Sequence, residues 1–152
     1  MIRMLQFLAI IFTALALVPG GAHLAELPNK INLPQADYFT VQGIYRGWAL
    51  FGVAVIGAIV FNLLLALVLW RQRPAFWFAL AGFVLVATTL VIFFIWTQPA
   101  NLATAFWTSA PENWETLRRQ WEYTHATSAV LTFIALCSVA LSTLLTPPSS
   151  PA

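Results

Sequence analysis

The chain has 152 residues, of which 61% are hydrophobic and only 8% charged, with seven Lys or Arg against five Asp or Glu. An ordinary soluble domain carries roughly a quarter charged residues, so water is not the main solvent for this surface. The formal net charge of +2 comes from scattered basic residues with no cluster beyond Arg71/Arg73 and Arg118/Arg119, which excludes a face for nucleic acid.

Residues 4–24 are apolar apart from Gln6, Thr13 and His23, and their number matches the roughly 20 needed to cross a bilayer. Arg3, the apolar run and the small residues Gly20, Gly21 and Ala22 also fit a signal peptide, but the run exceeds a usual signal core and three more follow. A first spanning helix is therefore expected. Pro19-Gly20-Gly21 should kink or unwind it just before His23.

The connection 25–46 is long for a compact bundle. Within it Asn32, Pro34 and Gln35 are a weak helix start leading into the second span, with Tyr38, Val41, Tyr45 and Trp48 at helical spacing. Tyr38 and Trp48, like Trp70 and Trp77 at the other face, read most simply as aromatic residues at headgroup level. The second span, 47–70, offers Gly43/Gly47 and Ala54/Ala58 for close helix contact, and Asn62 for an interhelical hydrogen bond.

Residues 71–75 form a tight turn, so the third span, 76–96, must run antiparallel to the second. The next connection, 97–124, is long again and lies on the same face as 25–46. Ser109, Pro111 and Glu112 predict a helix start of the Ser-x-x-Glu type running into the fourth span, 126–145. At 100° per residue, Trp114, Arg118, Trp121, His125, Ser128 and Thr132 fall in one stripe about 80° wide, expected in the bundle interior. Cys137, the single cysteine, is expected to be a small buried hydrophobe. Pro147, Pro148 and Pro151 mark residues 147–152 as a short unstructured tail. The predicted architecture is an all-α, four-helix transmembrane bundle in one domain, 1–146, with two long connections on one face.

Orientation rests on Arg3 and on the two arginines of the short turn. Both argue for cytoplasmic termini and a cytoplasmic short turn, although Lys30, Arg46, Arg118 and Arg119 then lie outside; the expected location is a bacterial inner membrane.

No phosphate loop, dinucleotide glycine fingerprint, paired cysteine motif, His-Glu-x-x-His or Gly-x-Ser-x-Gly occurs. What the sequence does offer is two histidines, each with a carboxylate one turn away: His23 with Glu26, and Glu122 with His125. Ionisable residues at membrane depth are tolerated mainly where they pair or line a cavity. Three chemistries fit. His23, Glu26, Glu122 and His125 could hold iron or copper. A histidine tuned by its glutamate could act as general base, with Arg118 or Arg46 steadying an anion. The two histidines could also be axial ligands of a haem. A plain structural role, with both pairs satisfying each other, stands beside these.

Gly21-Ala22-His23-Leu24-Ala25-Glu26-Leu27-Pro28-Asn29-Lys30, Tyr45-Arg46-Gly47-Trp48, Pro99-Ala100-Asn101, and Pro111-Glu112-Asn113-Trp114 through Trp121-Glu122-Tyr123-Thr124-His125 resemble the small four-helix membrane proteins of the anthrone oxygenase-like family. The resemblance covers nearly the whole chain. It implies an oxidoreductase that converts a flat, lipid-soluble phenol to a quinone with molecular oxygen, by deprotonating an activated carbon. His125 or His23 would be the base and Arg118 the anion stabiliser, with Trp114, Trp121, Tyr45, Arg46 and Asn101 around the substrate. The alternative is a non-catalytic membrane protein that binds a hydrophobic ligand or stabilises a partner complex. Membrane lipids and a hydrophobic small molecule are the expected partners, while the cofactor, if any, and the oligomeric state are not readable from sequence.

Overall fold

In a bilayer interior every backbone amide must be paired inside its own segment, so a lone apolar run crosses as a helix. A computed structural model describes residues 2–147 and shows this outcome. The helices are α1 (Ile2–Lys30), α2 (Gln35–Gln42), α3 (Gly52–Leu69), α4 (Arg73–Ile92), α5 (Gln98–Ala103) and α6 (Trp114–Leu144). Turns of 3-10 helix occupy Gly43–Tyr45 and Trp48–Phe51, and a π-helical stretch, Phe93–Thr97, joins α4 to α5. There is no strand among the described residues. Four stretches are long and apolar enough to span a membrane: Ile2–Lys30, Trp48–Leu69, Arg73–Ala103 and Trp114–Leu144.

The four long helices form a ring in which α1 and α4 each pack against both α3 and α6. Ile2 and Leu5 pack with Leu69 and Ala75, and Ser142 Oγ donates to the Ala75 carbonyl at 2.7 Å. The start of α1 and the end of α6 therefore lie beside the tight α3–α4 turn. At 1.5 Å per residue the 31 residues of α6 reach about 46 Å, well beyond a hydrocarbon core of about 30 Å. The surplus of α1 and α6 stands at the opposite face, where both long connections lie.

Buried positions of α1 are Gln6, Ala9, Thr13, Ala16, His23 and Lys30. Their steps of three, four and seven are the spacing of a heptad seam, in which neighbouring helices wrap with a left-handed supercoil. The middle of the seam, Ala9, Thr13 and Ala16, is made of small residues, as expected where helices must touch without a hydrophobic drive between them. Asn62 Nδ2 donates to Thr13 Oγ1 at 3.2 Å, the predicted interhelical bond. A Cβ at Gly82 would lie 2.6 Å from Val139 Cγ2. Valine is held in one rotamer on a helix, so Gly82→Ala is expected to loosen the α4–α6 contact by about 1–3 kcal/mol, read as a lower Tm in detergent.

Several expectations are corrected. α1 continues six residues past 24 and is not unwound at Pro19-Gly20-Gly21. Gly20 instead permits close packing, since a Cβ there would come within 3.3 Å of Ala129 Cα on α6. α2 does not lead into the second span: the chain breaks at Gly47, whose φ of +90° suits glycine, and neither Gly43 nor Gly47 is a packing contact. α6 starts at Trp114, and its cap residue Asn113 makes no side-chain hydrogen bond. The Ser109 amide is bonded back to the Thr104 carbonyl at 3.0 Å, so Ser109 closes the preceding turn rather than opening a helix. Cys137 is exposed on the outer surface of the bundle. The predicted tail from residue 148 on lies outside the described residues.

A buried polar and aromatic site between α1, α2 and α6

Lysine 30 is the centre of the site. It is only 3% exposed, and its ammonium has three donors to place. The Nζ atom lies 3.1 Å from Glu122 Oε1 and 3.5 Å from Glu26 Oε2, and donates to the Tyr45 hydroxyl at 2.6 Å. It also sits 4.4 Å from the Tyr45 ring centroid and 5.0 Å from that of Trp121. An ammonium buried without such partners would be expelled toward water.

Tyr38 is fully buried inside the protein rather than facing outward as a belt residue would, because α2 folds over the end of the bundle instead of continuing into the second span. Its hydroxyl donates to Glu122 Oε1 at 2.8 Å and accepts from Gln42 Nε2. Burial, followed by the Glu122 carboxylate, pushes this phenol's ionisation up. Tyr45 shows the same direction, from burial and then from the hydrogen bond its hydroxyl donates to Glu26. Both tyrosines therefore stay protonated and act as donors.

His23 is 3% exposed and stands among aromatic rings. Ring centroids lie at 4.3 Å to His125, 4.4 Å to Tyr45, 4.8 Å to Trp121 and 5.5 Å to Trp48. The buried Nδ1 atom of His23 has no hydrogen-bond partner. His125 is half-buried and touches Trp121 at 4.3 Å between centroids.

The other predicted residues support this cage. Asn101 Oδ1 accepts from Trp121 Nε1 at 2.8 Å and from Trp107 Nε1 at 3.2 Å, fixing two indoles with one carbonyl. Asn101→Ala leaves both buried indole donors unpaired; the expected loss is about 1–3 kcal/mol for each, and denaturation followed by Trp fluorescence checks it. Arg118 is buried, donates to the Leu33 carbonyl at 2.7 Å, and lies 4.6 Å from the Trp114 ring and 5.3 Å from the Tyr38 ring. It joins α6 to the turn after α1. Trp114 packs on Tyr38 and Phe39, and Arg46 is exposed.

Two irregular segments aim these residues. Pro99 has no amide to give the Ile95 carbonyl and its ring crowds that carbonyl, which accounts for the π-helical stretch just before it. Gln120 Nε2 covers the Trp96 carbonyl at 2.7 Å, and Thr97 and Thr124 hydroxyls meet at 3.0 Å. After α5, Ala105, Phe106 and Trp107 have φ of 47°, 56° and 64°, three successive left-handed residues. Each costs roughly 1–2 kcal/mol. The turn is held by the Phe106 amide on the Asn101 carbonyl at 2.6 Å and the Trp107 amide on Thr104 Oγ1 at 3.1 Å, and it returns Trp107 against Tyr38.

His23, Glu26, Glu122 and His125 do not form a ligand set. Among the described residues no three His, Cys, Asp or Glu side chains are grouped as a metal would need. Lys30 supplies the positive charge between the two glutamates, and the histidines stack on each other instead. Their 4.3 Å centroid separation also leaves no room for a porphyrin between two axial ligands. The sequence reading gave Lys30, Tyr38, Gln42 and Trp107 no part in the site. A signal for Lys30 was present: at 100° per residue, His23, Glu26 and Lys30 span about 60° of one helix face.

No family model, curated protein or solved structure matches the chain.

Proposed function

We propose that this multi-pass membrane protein is an oxidoreductase of the anthrone oxygenase kind, acting on a lipid-soluble aromatic hydroxyl compound at the face that carries the long connections. The observation that supports it most is the contact of His23 and His125 inside an aromatic cage, with His23 Nδ1 lacking a partner next to a buried ammonium. A ring nitrogen so placed can take a proton from a carbon activated by a flat aromatic system. The electron pair left behind delocalises onto the substrate oxygen, where a cation stabilises it. Lys30 is better placed for that role than Arg118, because Lys30 shares Tyr45 and Trp121 with His23 whereas Arg118 lies on Tyr38 and Trp114. Oxygen adds to the carbanion and gains a proton as a hydroperoxide. Loss of water then leaves a carbonyl, so that CH₂ and O₂ become C=O and H₂O with no outside reductant. Trp121 and Trp48 wall the cage, with Asn101 holding Trp121 in place.

The test is oxygen uptake by the protein in lipid nanodiscs with anthrone as probe. One anthraquinone per oxygen consumed is expected, above the rate with empty nanodiscs; a rate equal to that background overturns the reading. In this reading the termini and the Arg71–Arg73 turn face the cytoplasm of a bacterial inner membrane. A membrane-impermeant thiol reagent on intact cells should then label Arg46→Cys and spare Arg71→Cys; the reverse pattern would invert the topology.

A further inference from the structure

We propose that the cage beside His23 is a binding site for a free phenol, and that the chain's own Tyr45 fills it as a displaceable internal occupant. This rests on the reading of the site as one for aromatic hydroxyl compounds, and it names both the recognised group and the segment that guards it.

The surroundings of Tyr45 are those a phenol requires. Its hydroxyl donates to Glu26 and accepts from the Lys30 ammonium at 2.6 Å. Its ring meets His23 at 4.4 Å, Trp48 at 5.0 Å and Trp121 at 5.7 Å between centroids. Edge and tilted contacts of this kind reward any planar ring, while the carboxylate and ammonium reward its hydroxyl.

The segment that delivers Tyr45 has little else to hold it. Gly43, Ile44, Arg46 and Gly47 are exposed, and Tyr45 alone of these five turns inward. The Arg46 amide bonds only as far back as the Gly43 carbonyl. No neighbouring atom lies within 4 Å of where a Cβ would stand at Gly43 or Gly47, and Gly47 has a φ of +90°. Rotation at these two glycines lifts the strap at the cost of the contacts Tyr45 itself makes, and those are the contacts an arriving phenol replaces.

A groove of about 250 Å³ opens beside it, with Glu26, Asn29, Lys30 and Leu33 on one wall and Val41 and Ile44 on the other. That is several times the ~30 Å³ of a liquid water. The groove reaches the same Glu26 and Lys30 that hold the Tyr45 hydroxyl. A phenol arriving there exchanges with Tyr45 bond for bond, whereas a ring without a hydroxyl leaves Glu26 and Lys30 short of a partner.

The experiment uses 4-methylphenol as probe and toluene as control, with the full chain in nanodiscs and partition into empty nanodiscs subtracted. Binding is read by Trp fluorescence and by the shift in Tm. Removing an internal competitor raises apparent affinity by the reciprocal of the fraction of time the site stood open; with Tyr45 in place at least about nine-tenths of the time, Tyr45→Ala should bind 4-methylphenol at least about tenfold tighter than wild type. Tyr45→Phe should fall between them, because its ring still fills the cage while its hydroxyl no longer competes. Toluene should bind neither variant comparably. If Tyr45→Ala folds only when 4-methylphenol is added, that rescue also supports the assignment, and the Tyr45→Phe titration decides independently. Equal affinity in all three proteins, or equal binding of toluene, overturns it. Saturable 4-methylphenol binding without anthrone turnover would remove the oxygenase reading alone.

Discussion

Lys30→Met should be the most destabilising single substitution in the site, by about 3–5 kcal/mol, because it leaves Glu122 buried with its nearest cation gone. Glu122 is 1% exposed, and Lys30 approaches it at 3.1 Å. Glu122→Gln should cost less, since Lys30 keeps Glu26 and the Tyr45 hydroxyl, and an amide oxygen still accepts from Tyr38. The double variant Lys30→Met/Glu122→Gln should recover much of the loss, and equilibrium unfolding of the four proteins in detergent gives the coupling directly. A double variant as unstable as the sum of the singles would mean that the pair does not interact. Methionine keeps most of the length of the lysine stem, so the comparison isolates the charge rather than the packing against Tyr45 and Trp121.

The second large effect concerns rate. With anthrone as substrate, His23→Ala should lower turnover by about 10²- to 10⁴-fold, the usual contribution of a positioned general base. His125→Ala should fall by a similar factor if His125 orients or relays the proton, since the two rings touch. The double variant should then be little worse than either single, as with residues that act as a unit. Independent, multiplicative losses would indicate two separate roles, and undiminished turnover in both singles would sink base catalysis by this pair. His125 is half-buried, so its removal should weaken folding less than loss of Lys30, keeping rate and stability separable.

The number of spans and their antiparallel order were legible because apolar length is a strong signal and the 71–75 turn permits one geometry. The inward stripe of α6 was legible too: Arg118, Trp121 and Thr132 are buried on it. Tyr38 was misplaced because helical spacing alone does not say whether a short helix continues a span or folds across its end. Gly20 looked like a breaker because sequence shows the missing side chain but not the neighbour, Ala129, that needs the space. The metal reading failed for a similar reason. Two carboxylates and two imidazoles matched a ligand pattern, but the cation that satisfies the carboxylates comes from a lysine already present on the same helix face. The left-handed turn at Ala105–Trp107 had no signal at all, since none of its residues is a glycine or an asparagine.

That turn bears on how the protein is assembled. Three strained residues persist only while surrounding contacts over-determine them, and one of those contacts runs through Asn101 to Trp121 on α6, which is synthesised after the turn. Before α6 docks, residues 104–108 lack that anchor and relax toward ordinary backbone. Protease cleavage in this segment, measured against time after synthesis, therefore reports whether the fourth span has joined the other three, and gives quality control a local mark that distinguishes a finished bundle from an incomplete one.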